Sequence, residues 1–188
     1  MLEELIKYDE QLFLFLNGLG SETWDGFWLF MTDKWSSIPL YALLLFLTFR
    51  YLGWKGTLAV LILVAALITA TDQLANVFKY NVARFRPCHD DAIFEQMRLV
   101  KQYCGGQYGY FSAHAGNSFA VATFFSLLFR KYLKGIALFL VAWAVVVSYS
   151  RIYVGVHFPL DVVTGISFGM LLGWLFYFIF KRLPFEDV

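Results

Sequence analysis

The sequence predicts an all-α fold: an integral-membrane bundle of five or six transmembrane helices with an amphipathic N-terminal segment. Of its 188 residues, 60% are hydrophobic and only 15% are charged, whereas soluble domains carry about 25% charged residues. Five apolar stretches reach or approach the roughly 20 residues that a helix needs to cross a bilayer. The sequence shows no linker or internal repeat, so we expect residues 1–188 to form a single membrane-embedded domain.

Residues 1–35 are predicted to form an interfacial or broken-helix element. The stretch Leu5–Leu19 is amphipathic, and a turn-like, glycine-containing segment separates it from the apolar stretch Trp24–Met31. Neither stretch is long enough to cross a bilayer alone. Tryptophans at positions 24, 28 and 35 suit the depth of the lipid headgroups, which favours the interface. A sixth, broken crossing is the alternative.

The predicted spans are five apolar stretches joined by polar connections. They run over Ile38–Leu52, Gly56–Val77, Ser112–Phe129, Gly135–Ser150 and Phe158–Phe180. The first and fourth are short and require local thinning of the bilayer or flanking side chains that reach the headgroups. Residues 80–111 form an outer loop that contains both cysteines, Cys88 and Cys104. A disulfide between them and a pair of free thiols are equally compatible with the sequence.

Basic residues indicate which ends of the spans face the cytoplasm. Seven of the 15 Lys and Arg residues fall on one side of the five-span arrangement: Arg50, Lys55, Arg130, Lys131, Lys134, Lys181 and Arg182. The positive-inside rule makes that side cytoplasmic. The outer loop and the turn at residues 151–157 then face the opposite side, which is the periplasm, the cell exterior or an organelle lumen.

Three polar clusters border that outer face, and the crossings return all of them to one surface. They are Lys79–Pro87, Phe111–His114 and Ser150–Asp161. Arg86 and Arg151 can each grip phosphate oxygens bidentately, and Lys79 adds a compact charge. Ser112 begins a helix, whose free N–H groups and dipole favour an anion. These residues suit phosphoryl transfer.

Two histidines supply candidate reactive groups. His114 and His157 offer a nucleophile and a proton donor near neutral pH. Asp161 lies one helical turn after His157, with Pro159 at the predicted first helical position, so its carboxylate can fix the imidazole tautomer. No carboxylate cluster resembles a magnesium site, and the histidines lack zinc-ligand spacing. We therefore expect chemistry without a metal or another cofactor.

These clusters resemble the three-part signature of the type-2 phosphatidic acid phosphatases, which share a superfamily with vanadium haloperoxidases and glucose-6-phosphatase. The motifs read Lys-x6-Arg-Pro, Ser-x-His and Ser-Arg-x5-His-x3-Asp. Nine positions match them: Lys79, Arg86, Pro87, Ser112, His114, Ser150, Arg151, His157 and Asp161. The motif region covers under half of the chain, but agreement across three motifs makes the resemblance specific.

The resemblance implies a role for each matching residue. His157 would attack phosphorus, Asp161 would orient it, and His114 would protonate the leaving oxygen. The phosphate would be bound by the other polar motif residues and the start of the helix: Lys79, Arg86, Ser112, Ala113, Ser150 and Arg151. For Ser150, positioning of the neighbouring arginine is the alternative to a direct contact with the phosphate. Water would then hydrolyse the phosphohistidine.

The middle motif departs from the family pattern. Where the family usually has Pro-Ser-Gly-His, this chain has Phe111-Ser112-Ala113-His114. Glycine lets the backbone approach phosphate closely, and alanine is the smallest alternative that keeps its N–H. The change bears on the phosphate cradle and the rate rather than on the type of reaction. Phe111 is interpreted as lining the lipid entry.

Other polar residues near the outer face receive structural interpretations. Arg84, Arg98 and Lys101 are interpreted as side chains that snorkel to lipid headgroups. Asp72 lies within a span, where a buried hydrogen-bonding role is favoured over a catalytic one. His89 matches no motif position and is interpreted as solvated.

The sequence thus predicts a small bacterial lipid phosphatase in the inner membrane, with its site on the periplasmic or exterior face. The resemblance implies one of four substrates: undecaprenyl diphosphate, phosphatidylglycerol phosphate, phosphatidic acid or a lipid A phosphate. The expected partners are the bilayer and its lipid phosphate, while a net charge of +1 argues against nucleic acid. The sequence does not set the oligomeric state.

Two other functions compete with this prediction. A vanadate-dependent haloperoxidase would use the same anion cradle, but such relatives are soluble and the spans count against it. A catalytically weak membrane protein that binds or transports an anionic lipid is the non-enzyme alternative. It predicts that His157 is dispensable, whereas catalysis requires this residue.

Overall fold

Seven α-helices make up most of the described part of the chain, residues 1–184, in this computed structural model. They are α1 (Leu2–Gly18), α2 (Glu22–Thr32), α3 (Ile38–Val82), α4 (Asp91–Phe94), α5 (Ala113–Phe129), α6 (Ile136–Tyr153) and α7 (Pro159–Lys181). Short 3₁₀ turns cover Lys34–Ser37 and Pro87–His89. Residues 1–184 contain no β-strand, and the predicted all-α fold is confirmed.

Helix α3 contains two of the five predicted spans. Gly53 has φ 64° and ψ −172°, a conformation that glycine adopts readily, and it divides the element into arms over residues 38–52 and 54–82. The arms run antiparallel, because Ser37 and Asp72 line one cavity while Leu52 and Gly56 line another at the opposite end. Helices α3, α6 and α7 are long and apolar enough to cross a membrane, and α5 is a shorter apolar helix.

Helix α5 is the centre of the bundle and packs against α3, α6 and α7. Its closest neighbour is α7, which presents Gly165, Gly169 and Gly173 on one face. A Cβ atom at any of these three positions would overlap a backbone carbonyl of the segment from Ser112 to Ala120. Small residues at this spacing let two membrane helices approach closely. The same approach sets the N-terminus of α5 beside that of α7.

The N-terminal helices α1 and α2 pack on α6 and α7 at the end of the bundle that carries the outer loop, which we call the outer end. Phe13 is fully buried against Phe158. The Asn17 amide donates to the carbonyls of Ile152, at 3.2 Å, and Tyr153, at 2.9 Å. Neither helix is among the candidate spans of residues 1–184. Their location at the membrane interface, and the treatment of the chain as a single domain, stay predictions.

The outer loop joins α3 to α5 and folds back over the end of the bundle. A disulfide links Cys88 to Cys104, with Cα atoms 6.3 Å apart, which decides between the two alternatives left by the sequence. Gly155, in the turn between α6 and α7, has φ 84° and lies against the backbone of Arg98 and Leu99. Only glycine has both the conformation and the small size that this approach requires.

Candidate active site

The three predicted clusters meet at the outer end of the bundle. His157, in the turn between α6 and α7, lies within electrostatic range of His114, Arg86, Arg151 and Lys79. The two helix starts are joined directly, because the Ser112 N–H donates to the Asp161 carbonyl at 2.9 Å. Convergence of the three motifs therefore follows from the antiparallel crossings and from the close packing of α5 on α7.

His157 and Asp161 form a buried pair at the start of α7. His157 is 2% exposed and Asp161 is 0% exposed. His157 Nδ1 lies 3.3 Å from Asp161 Oδ2, and the same oxygen accepts from the Phe158 N–H at 3.0 Å. Pro159 occupies the first turn of α7, as predicted. A carboxylate that accepts from Nδ1–H leaves the Nε2 lone pair free.

The surroundings of His157 keep its imidazole neutral. Burial, followed by the positive charges of Arg86 and Arg151, lowers the pKa of His157 well below its usual value of 6.5. Burial and neighbouring like charges both disfavour the protonated form. A neutral imidazole with one nitrogen oriented by a carboxylate has the electronic state that a nucleophile needs.

Arg151 is the most deeply buried cation of the site, with 4% of its surface exposed. Its Nη1 donates to the Thr32 hydroxyl of α2, while its Nε has no hydrogen-bond partner. Among residues 1–184, no carboxylate forms an ion pair with Arg151. A buried guanidinium without a counter-charge is costly, so an anionic ligand would stabilise this arrangement.

Arg86 is held in place by the backbone around it. Its guanidinium donates to the carbonyls of Tyr108 at 3.3 Å, Cys104 at 3.2 Å and Val156 at 3.5 Å. These three acceptors are neutral, and the negative charge of Asp161 acts on the guanidinium at longer range. The disulfide fixes one of the three acceptors, so the outer loop sets the position of this cation.

The start of α5 offers further donors to an anion. The Ser112 side chain is fully buried, and its hydroxyl has no hydrogen-bond partner. The N–H groups of the first helical turn, which begins at Ala113, lack intrahelical acceptors. His114, in the same turn, is exposed and lies within electrostatic range of Arg151, Lys101, Arg86 and Lys79. The N–H of Ser112 itself is already used, since it donates to Asp161.

Ser150 does not have the geometry of a phosphate ligand. Its hydroxyl donates to the Val147 carbonyl at 2.6 Å, one turn earlier in α6, and its side chain is fully buried. A phosphate oxygen would need that same donor. We therefore leave Ser150 out of the phosphate site proposed below.

Two of the three basic residues interpreted as snorkelling form ion pairs instead. Arg84 forms an ion pair with Asp9, and Arg98 forms one with Asp25. Lys101 lies within electrostatic range of Arg151 and Arg86, where burial and these charges lower its pKa. The interpretations of Arg84 and Arg98 were wrong, because their acidic partners lie on the N-terminal helices, at positions that sequence spacing does not reveal. The interpretation of Lys101 stays a prediction.

The structure contradicts the interpretation of Phe111 and confirms that of Asp72. Phe111 is fully buried against Phe78 and Phe168, so it does not line an entry, and its interpretation was wrong. Asp72 accepts a hydrogen bond from the Asn117 side chain at 2.9 Å, which confirms the hydrogen-bonding role.

Two hollows lie next to each other on this side of the bundle. A polar cavity of about 280 Å³ is bordered by His114, Asp72 and Thr32. An apolar groove of about 460 Å³ lies between the two arms of α3 and α5, and Tyr41 and Asn117 border both hollows. The polar cavity reaches His114 but not the buried His157.

The fold and the site define a class of protein: an integral-membrane enzyme that handles a phosphate-like anion at one end of its helical bundle. The chain belongs to the PAP2 superfamily, whose family model matches residues 54–184. This confirms the family that the three motifs indicate. The predictions of a multi-pass membrane protein and of a phosphatase are confirmed as well.

Similar proteins cover nearly the whole chain. A lipid A 4′-phosphatase of Bacteroides thetaiotaomicron is 40% identical over 97% of this chain and 81% of its own length. A lipid A 4′-phosphatase of Porphyromonas gingivalis is 34% identical over 96% of this chain and 75% of its own. The crystal structure of a PAP2-type phosphatidylglycerolphosphate phosphatase from Bacillus subtilis superimposes with a TM-score of 0.74 at 22% identity, covering 98% and 90% of the two chains. That likeness shows the shared fold.

Proposed function

We propose that the chain is a metal-independent lipid phosphatase that works through a phosphohistidine at the periplasmic or exterior face of a bacterial inner membrane. The observation that carries this proposal is the pairing of a buried, neutral His157 with a buried Arg151 that has no carboxylate partner within residues 1–184. A nucleophile next to an uncompensated cation suits attack on an anionic phosphorus centre.

In the proposed reaction, Nε2 of His157 forms a bond to phosphorus as the bond from phosphorus to the lipid oxygen breaks. Asp161 accepts from Nδ1–H and stabilises the positive charge that develops on the imidazole. His114 gives its proton to the departing lipid oxygen. Water then attacks the phosphohistidine, His114 takes up a proton from that water, and phosphate leaves.

The phosphate oxygens are bound by donors from three segments: Lys79, Arg86, Arg151, the Ser112 hydroxyl and the first N–H groups of α5. Charge on the transferring phosphoryl group is spread over its equatorial oxygens, so several fixed donors stabilise the transition state together. Ala113 has the same backbone N–H donor as the glycine that is usual in the family, so this replacement does not remove a phosphate ligand.

A lipid substrate explains why the site lies beside an apolar groove. The groove between the α3 arms is lined by side chains such as Leu44, Val60 and Val121, and it shares lining residues with the polar cavity at His114. A headgroup phosphate bound at the start of α5, beside the polar cavity, would leave an acyl chain within reach of the groove. Burial of apolar chains would then contribute to binding.

Within the lipid phosphates, we propose the 4′-phosphate of lipid A as the substrate. Support comes from the two bacterial lipid A 4′-phosphatases, which match this chain over nearly all of its length and therefore over nearly all of residues 1–53, which precede the family match. A site that faces outward, as the distribution of basic residues predicts, would be consistent with a lipid of the cell envelope.

The test is phosphate release by the purified protein in detergent with EDTA present. The substrates are lipid A carrying both phosphates, undecaprenyl diphosphate, phosphatidylglycerol phosphate and phosphatidic acid. His157→Ala runs beside the wild type, with His89→Ala as a matched control, because His89 is an exposed histidine of the outer loop. We expect release from the 4′ position that survives EDTA, persists in His89→Ala and disappears in His157→Ala.

Two results would contradict the proposal in different ways. Preference for another lipid would overturn the substrate but keep the mechanism. Equal release by His157→Ala and the wild type, or no release from any of the four lipids, would overturn the mechanism and favour a protein that binds anionic lipid without catalysis.

A further inference from the structure

We propose that Asp9, on the N-terminal helix α1, is a positioning residue for the reaction: it holds Arg84 against Asp161 and so fixes the geometry of the His157–Asp161 pair. This inference rests on the proposed catalytic function of that pair. It assigns a functional contribution to a helix that precedes the family match, which begins at residue 54.

Asp9 is a buried carboxylate with two specific partners. It is 4% exposed, although α1 is otherwise one of the more exposed helices. One oxygen accepts from Arg84 Nη1 at 2.6 Å, and the other accepts from the Leu160 N–H at 2.8 Å. Leu160 lies in the first turn of α7, where N–H groups lack intrahelical acceptors. Asp9 therefore ties α1 to the turn that carries Asp161.

Arg84 connects this carboxylate to the reactive pair. Its Nη1 lies 3.5 Å from Asp161 Oδ1, and its guanidinium lies 4.0 Å from the centre of the Phe158 ring. Asp161 Oδ2 faces the other way and contacts His157 Nδ1. The four groups thus form a row of carboxylate, guanidinium, carboxylate and imidazole that runs from α1 to the nucleophile.

The geometry shows how Asp9 can affect the chemical step. Arg84 is shared between two carboxylates and lies nearer to Asp9 than to Asp161. Without the charge of Asp9, Arg84 is free either to bind Asp161 more closely or to leave it. The first change draws the carboxylate away from His157, and the second removes the counter-charge of Asp161. Both misalign an imidazole whose attack depends on orientation.

The experiment compares Asp9→Asn with Asp25→Asn. Asparagine at position 9 can still accept from the Leu160 N–H but cannot pair with Arg84. Asp25 is the matched control, because it also forms an ion pair from the N-terminal helices, to Arg98, without contacting Asp161. Steady-state kcat and KM for lipid phosphate hydrolysis are measured together with the thermal midpoint of each purified variant.

We expect Asp9→Asn to lower kcat by about tenfold to about 10²-fold, the scale of a small misplacement of reacting groups. We expect KM to stay within about twofold, because the phosphate ligands are untouched. Arg84→Gln should lower kcat as well, and the double variant should lose less than the product of the two single losses. The double variant removes both charges of the ion pair and leaves neither unpaired, so it can still be measured if Asp9→Asn does not fold.

Three outcomes would overturn the inference. These are wild-type kcat in Asp9→Asn, equal losses in Asp9→Asn and Asp25→Asn that follow the thermal midpoint, and independent effects of Asp9 and Arg84. Failure of the proposed function looks different, because the wild-type protein would then release no phosphate and no variant could be ranked.

Discussion

The two ends of the helical bundle both carry many basic residues, but these side chains differ in burial and in the contacts they make. At the end with Arg50, Lys55, Arg130 and Lys134 the side chains are exposed, and Arg50 and Lys55 lie over neighbouring aromatic rings. At the outer end, Arg151 is buried, and Arg84 and Arg86 are partly buried with several specific contacts each. Burying a charge is costly. This difference in burial marks the outer end as the end whose arginines bind an anionic ligand.

The largest predicted difference between the two ends is the effect on phosphate release of replacing one arginine at each end by alanine. Arg151→Ala should lower phosphate release by on the order of 10²-fold to 10³-fold, the cost of removing one donor to a developing charge. Arg130→Ala should stay within about twofold, as an exposed substitution away from the site. Both are measured as kcat/KM at matched thermal midpoints. Equal losses would remove the distinction between the two ends.

The disulfide provides a second, smaller effect, on stability. Cys88 and Cys104 are 16 residues apart, and closing a loop of this size contributes about 3 kcal/mol in the chain-entropy model. Cys88→Ser with Cys104→Ser should lower the thermal midpoint and raise hydrogen exchange at residues 105–110 but not at residues 130–135. Dithiothreitol should destabilise the wild type and leave the double variant unchanged. A wild-type protein whose thermal midpoint does not change with dithiothreitol would contradict the disulfide.

The pH dependence of stability is the smallest predicted effect. The folded-state pKa of His157 is lowered. As the pH falls below about 6.5, His157 therefore binds a proton in the unfolded chain but not in the folded protein. Stability should decrease with acidification in that window, by at most about 1.4 kcal/mol per pH unit from this residue. Thermal midpoints at pH 7.5 and 5.5 measure it, with His157→Asn as the control. An unchanged slope in the control would show that His157 titrates normally.

The spans and the motif residues could be predicted because each depends on local pattern. Apolar stretches of membrane length define the crossings, and antiparallel crossings return alternate connections to one face. Lys79, Ser112 and His157 therefore meet although long stretches of chain separate them. The tight turn at Gly53, which joins the first two spans, also falls in the predicted connection.

The environments of individual charges could not be predicted, because they depend on tertiary partners. Arg84 and Asp9 are 75 residues apart, and Arg151 and Thr32 are 119 residues apart. No spacing rule connects an acid on an N-terminal helix to an arginine beyond the second span. Phe111 was misinterpreted for a related reason, because a phenylalanine next to a polar motif looks exposed until the packing of α5 on α7 is known.

The most direct test of the account is to trap the phosphoenzyme. A lipid phosphate labelled with ³²P is mixed with the protein, quenched in alkali within milliseconds and analysed for label on the chain. We predict label that is stable in alkali, is lost in acid, maps to a peptide containing His157 and is absent from His157→Ala. Turnover with no labelled protein at any quench time, or label on another residue, would contradict a phosphohistidine at His157.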